Sequence, residues 1–217
     1  MDDNHQMRDE DIRSVLLQHI RENHRDSAVI EEMPLLRTGR ADIGVVNCSL
    51  WGYEIKSERD TLNRLPQQIP FYDAIFDRSI VVVAGSHLRY VRKIVPSHWG
   101  IQRAILVDGV VELHHVRKPK LNTKTSSEAL VRLVWKNEAV SILRAHGLGG
   151  SNGTPLLKVW EQLLRLPKQK LADSVRLALK VRNGCGSASR RVQDGDLRSI
   201  EPTPCSRQCL AGLMQLD

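Results

Sequence analysis

Two periodicities alternate along the first 116 residues, and together they outline a sheet with helices against it. Ile12, Val15, Leu16 and Ile20 recur at helical spacing within residues 9–22, and acidic residues lead the segment, as suits a helix N-terminus. A strand is predicted at Ala28–Leu35. Residues 42–46 and 51–56 are short, rich in β-branched and aromatic side chains, and separated by turn residues at 47–49, so they read as a hairpin. Leu62, Leu65, Ile69, Tyr72 and Phe76 suggest a helix, and the β-branched run at 79–84 a buried strand. A short helix at 87–95, strands at 101–107 and 110–116, and a polar connection at 117–125 follow. The predicted fold class is therefore α/β, a mixed β-sheet flanked by helices.

The remainder reads as helical. Leu130, Leu133, Val134, Ala139, Ile142 and Leu143 suit one helix over 126–146, ended by Gly147, a residue type favoured just past a helix C-terminus. The glycine-rich stretch 147–153 follows a helix and lacks a Gly-Lys-Ser/Thr ending, so it is a link and not a phosphate loop. Helices are predicted at 155–164 and 168–182, and beyond Asn183 periodicity ceases. The expected organisation is a sheet domain at 1–121, a basic helical appendage at 122–182 and a disordered tail at 183–217.

With 217 residues, 41% of them hydrophobic, the chain can bury a core without staples. Four scattered cysteines show no disulfide framework, and no apolar run is long enough to span a bilayer. These features predict a cytoplasmic protein with no membrane partner. The net charge of +7 sharpens the picture through its placement: residues 158–191 hold nine basic side chains against two acidic ones, which accounts for all of it. Such a face attracts polyanions, nucleic acid foremost; a solvated helix surface is the plainer reading.

Candidate chemistry lies in the hairpin. Alternation places Glu54 and Lys56 on one strand face, and a paired strand can hold Asp42 beside them. Two carboxylates and a backbone carbonyl such as that of Ile55 suit Mg²⁺, with Mn²⁺ as a substitute, and leave room for a phosphate and a water that Lys56 would position. An exposed strand face also carries Glu and Lys as an ordinary charge pair, so the spacing alone is not decisive.

Helix, strand, Asp strand, Glu-x-Lys strand, helix and strand in this order resemble the core of the PD-(D/E)XK nuclease superfamily, the restriction-endonuclease-like fold. Arg40-Ala41-Asp42-Ile43, Gly52 to Ser57, Asp60-Thr61-Leu62, Arg64-Leu65-Pro66-x-Gln68, Tyr72 and Phe76-Asp77 look like an uncharacterised bacterial branch of it with a helical C-terminal extension, which Trp135 to Ala139 and Arg144-x-x-Gly147 would begin. The resemblance implies a nuclease hydrolysing DNA phosphodiesters, with Asp42 and Glu54 as metal ligands, Lys56 as the water-positioning base, and a pathway such as repair or phage defence. It adds Glu32 as a possible further acid, taken over Glu31 because alternation turns only one inward, and Gln68 and Tyr72 as helpers on the following helix. Pro70 sets a condition on that pair: the helix must start near Gln67, or kink. Arg40, Lys158, Lys168 and Lys170 would contact nucleic acid, expected to be DNA. The alternative is a non-catalytic nucleic-acid-binding or regulatory protein on the same fold. Neither strand preference nor oligomeric state is written in the sequence.

Other signals carry less. His114 and His115 are adjacent on a strand and point to opposite faces, His87 and His98 read as structural, and Cys205-x-x-x-Cys209 lacks the partners of a zinc site. Trp99, Trp135 and Trp160 are expected as core anchors.

Overall fold

The computed structural model describes residues 6–24, 26–36 and 39–184. The 183–217 tail expectation therefore falls, beyond its first two residues, outside the described residues, as do Cys185, Cys205 and Cys209. The chain divides into two compact units, one formed by residues 1–25, 29–45 and 49–125, the other by 26–28, 46–48 and 126–217.

The first unit holds a six-stranded sheet whose strands lie side by side in sequence order: β1 (Ala28–Leu35), β2 (Gly39–Val46), β3 (Leu50–Lys56), β4 (Arg78–Ala84), β5 (Gly100–Val107) and β6 (Val110–Arg117). The three-residue connections β1–β2 and β2–β3 can join only antiparallel neighbours. From β3 to β5 the pairing is parallel, because helices α2 (Leu65–Ile75) and α3 (Leu88–Ile94) carry the chain back between strands. β5 and β6 then pair antiparallel through Asp108-Gly109, both at positive φ (50° and 80°), the conformation a two-residue hairpin turn requires. Helix α1 (Asp9–Asn23) begins where the Asp11 carboxylate accepts the Arg8 amide at 2.8 Å and buries Ile12, Leu16, Leu17 and Ile20.

Central position explains burial. β3 lies between β2 and β4 and is buried along its whole length. Gly52 permits this on one face, since a Cβ there would lie 2.4 Å from the Phe76 ring that closes α2. The end of α2 is fixed from the far side by Asn122, whose amide donates to the carbonyls of Asp73 (2.7 Å) and Phe76 (2.9 Å). Thus α2 packs on the face of β3 that carries Gly52, Glu54 and Lys56.

In the second unit the single helix expected over 126–146 is two, α4 (Ser127–Leu130) and α5 (Lys136–Ala145). The break follows from local chemistry: the Ser126 hydroxyl caps α4, and the Glu138 carboxylate accepts the Trp135 amide at 2.7 Å, which starts a new helix. Val131, Leu133 and Val134 between them are buried, so the apolar spacing that imitated one helix belongs to a buried turn. α6 (Leu156–Leu163) and α7 (Lys168–Arg182) complete the unit. Arg182 joins its ends, donating to both Glu138 oxygens (2.8 and 2.5 Å) and to the Leu133 carbonyl (2.9 Å), with its guanidinium 4.3 Å from the Trp135 ring centre.

Trp99 is a core anchor as expected, whereas Trp135 is exposed apart from its Arg182 contact. Among the described residues no helix is long and apolar enough to cross a membrane.

Candidate functional site

Strand alternation and the seating of α2 assemble a polar cluster around Glu54. Its Oε1 accepts hydrogen bonds from Lys56 Nζ at 2.5 Å and Gln68 Nε2 at 2.6 Å, and its Oε2 accepts one from the Tyr72 hydroxyl at 2.6 Å. Glu54 is 1% exposed and Lys56 6% exposed, so this is an ion pair removed from water and completed by neutral donors. Tyr72 also lies 3.1 Å from the Tyr53 carbonyl. Burial, reinforced by Glu54 and Asp42, holds the Tyr72 hydroxyl well above the ordinary tyrosine range, so it stays protonated and donates.

Asp42 sits beside this cluster on β2. Its Oδ2 accepts the Ile55 amide at 2.6 Å, and its Oδ1 lies 3.7 Å from Arg13 Nη2. Burial first, and then the nearby Glu54 charge, push the Asp42 carboxyl up to about 7; the Ile55 amide, Lys56 and Arg13 oppose that rise. Asp42 thus changes charge near neutral pH in the folded protein.

Gln68 and Tyr72 do share one face of α2, four residues apart. The proline condition is met differently from either alternative: α2 begins at Leu65 with Pro66 in its opening turn and runs on through Pro70. Glu32 is not where alternation puts it. Both Glu31 and Glu32 are exposed, because Glu32 has φ 51° and breaks the strand's two-residue rhythm. Its carboxylate pairs with Arg13 Nη2 (3.0 Å) and Arg40 Nε (2.6 Å), so it reaches Asp42 only through Arg13, and Arg40 meets an acid.

Arg13 escaped the sequence reading. From α1 it donates to Asp9 Oδ1 (2.8 Å) and the Asp42 carbonyl (3.1 Å) while pairing with Glu32. The i,i+4 spacing from Asp9 was visible, but the link to Asp42 was not. Lys158, Lys168 and Lys170 lie exposed on α6 and α7, apart from this cluster in the chain.

The donor set fits a resident divalent cation poorly. Both Glu54 oxygens already accept hydrogen bonds, one Asp42 oxygen binds the Ile55 amide, and the other faces a guanidinium. Among the described residues no group of three or more His, Cys, Asp or Glu side chains is placed to hold a metal ion. A cation here would have to displace Lys56 or Gln68. Two of the histidines have local partners: His98 bonds Asp73 at 2.9 Å, and His114 bonds Glu112 at 2.9 Å.

Comparison with known proteins gives a different relationship from the nuclease resemblance. A solved protein of unknown function from Silicibacter pomeroyi is 18% identical with a TM-score of 0.38, over 52% of this chain and 71% of that one. Protein cII of Enterobacteria phage P4 is 27% identical over 128 residues, 58% of this chain; the chain covers about half, 48%, of that protein's length. The family model described as bacteriophage P4 protein cII matches residues 2–195. That match spans both units and overturns the assignment to the PD-(D/E)XK superfamily, and with it the nuclease and hydrolase activity and the catalytic roles given to Asp42, Glu54 and Lys56. The general pattern of an Asp strand followed by a Glu-x-Lys strand is short and built of common residues, which is why it misled. A mixed sheet flanked by helices stands; the chain belongs to the bacteriophage P4 protein cII family.

Proposed function

We propose that this chain is a non-catalytic, nucleic-acid-binding regulatory protein, acting in the cytoplasm on DNA. The observation that carries the reading is the placement of charge. Residues 126–184 hold ten basic side chains against four acidic ones, so a charge of +6 lies in that segment of a chain whose net charge is +7. Arg176 pairs with Asp173 and Arg182 with Glu138, Arg144 donates to the Gly150 carbonyl, and Arg132 lies over the Trp160 ring. Lys158, Arg165, Lys168 and Lys170 are exposed on or beside α6 and α7. Cations so displayed release counterions from a phosphate backbone, and binding then weakens steeply with salt. The Glu54 cluster supports the same reading from the other side, since both oxygens of its central carboxylate are taken up by Lys56, Gln68 and Tyr72 inside the fold.

Fluorescence anisotropy with labelled duplex and single-stranded DNA across a salt series tests it. Binding should fall log-linearly with salt, be indifferent to Mg²⁺, and survive Asp42→Asn. No binding at physiological salt, about 0.15 M, would sink the proposal.

A further inference from the structure

Residues 85–125, in the first unit, carry eight basic side chains against two acidic ones. The two acids lie at one end of the β5–β6 hairpin: Asp108 is in its turn, and Glu112 pairs with His114. Arg117, at the other end, is five residues from Glu112, roughly 17 Å along a strand. There the cations gather. The segment after α3 is bonded to the segment after β6: Arg117 donates from Nε to the Trp99 carbonyl and from Nη2 to the Pro96 carbonyl, both at 2.7 Å, and the Lys120 amide donates to the His98 carbonyl at 2.8 Å. Gly100 packs so tightly on Pro119 that a Cβ would lie 2.9 Å from its ring. This fixes the 117–120 connection beside the last turn of α3, which ends in Arg92 and Lys93.

The result is like charge held together by a rigid frame. Burial first, and then neighbouring Arg92, pull the Arg117 guanidinium below its ordinary value, so Arg92 lies close enough to act on it. Among the described residues Arg89, Arg92, Lys93 and Lys120 make no ion pair, and the first three share a face of α3 at i, i+3 and i+4. Tyr90, on the same helix, is 58% exposed and presents an aromatic ring beside these cations. Repulsion of this kind costs stability in the isolated protein, and a phosphate backbone removes it.

We propose that α3 and the 117–120 connection form a nucleic-acid contact surface on the first unit, with Arg92, Lys93 and Lys120 meeting backbone phosphates and Tyr90 stacking on an exposed base. The proposal rests on the nucleic-acid reading above and adds a site to it. Arg117 is the positioning residue, since its guanidinium is spent on the two carbonyls that hold the frame.

The full chain is titrated against labelled duplex and single-stranded DNA from about 0.05 to about 0.3 M salt, as wild type, Arg92→Gln/Lys93→Gln/Lys120→Gln, Arg92→Lys and Tyr90→Ala. The triple variant should lose about 2 to 3 from the slope of log K against log salt, and at least about tenfold in affinity at physiological salt. Arg92→Lys keeps the charge and should keep the slope. Tyr90→Ala should weaken single-stranded binding by about five- to a hundredfold and duplex binding far less. A triple variant with wild-type slope overturns this surface while leaving the general reading intact; wild type that binds no nucleic acid overturns both. Loss of binding to anionic phospholipid vesicles without loss on DNA would assign the patch to a membrane and overturn it too.

Discussion

The Glu54 cluster and the α3 surface treat charge in opposite ways. Around Glu54 every charged atom has a partner from the same chain: Lys56, Gln68 and Tyr72 converge on one carboxylate, and Arg13 links Asp42 to Glu32 and Asp9. At α3, cations crowd one another while the acids of that segment sit at the far end of a hairpin. A set of charges that is closed on itself holds the fold together, and one that is left open is available to a partner. Residue identity alone suggested chemistry at the closed set, because an Asp, a Glu and a Lys at that spacing look like a metal site.

The sharpest way to break this contrast is to open the closed set. Glu54→Ala strands a buried ammonium and an amide, and should cost about 3–5 kcal/mol in urea denaturation. A cost under about 1 kcal/mol would mean the cluster is not the closed network described here.

Next in size is a pH effect at Asp42. Its folded carboxyl titrates at about 7, above the unfolded value of about 4, so the folded state binds more protons between those limits. Its contribution is therefore fully present below about pH 4 and is lost as pH rises through about 7. The amplitude should be on the order of 2 kcal/mol, because the side chain is partly exposed and its charge partly screened. Asp42→Asn, which cannot ionise, should flatten that slope in denaturation series run from about pH 4 to 8.

The second unit has a smaller closed set, and Arg182→Met should open it. Glu138 would lose its partner and Trp135 its cation, for about 1–3 kcal/mol, seen as faster amide exchange in α5 and α7. The smallest stability change should come from Lys158→Gln/Lys168→Gln/Lys170→Gln. Removing Lys168 and Lys170 from the first turn of α7 relieves their conflict with the helix dipole, so stability should stay within about 0.5 kcal/mol. DNA affinity should nevertheless fall, with a slope reduced by about 2 to 3. Added Mg²⁺ should leave Tm within about 1 °C of its metal-free value, as the engaged oxygens of Glu54 and Asp42 imply.

Much of the fold was legible because local pattern follows from local sterics and burial. β1 and α7 fall at the residues their periodicity predicts, and α1 ends one residue later. The pairing of Glu54 with Lys56 on one strand face, and of Gln68 with Tyr72 on one helix face, could also be read from spacing. Where reading failed, a second local rule competed with the periodicity. Glu138 capped a new helix inside an apparently continuous apolar stripe, and a positive φ at Glu32 turned a side chain that alternation had aimed inward. The functional inference failed for another reason: short motifs of common residues recur across unrelated chains, and the family match was needed to decide.

By itself, then, the sequence determined the periodic elements, the mixed sheet and the sign and rough position of the excess charge, all of which depend on residues near one another in the chain. Only the tertiary structure decided which charges are partnered. Arg13 meets Asp42 across 29 residues, Tyr72 meets Glu54 across 18, and Arg117 meets Pro96 across 21. Such contacts depend on how elements stack and on which donors reach which acceptors once water is excluded. That is why the same residue types close on themselves at Glu54 and stand open at α3.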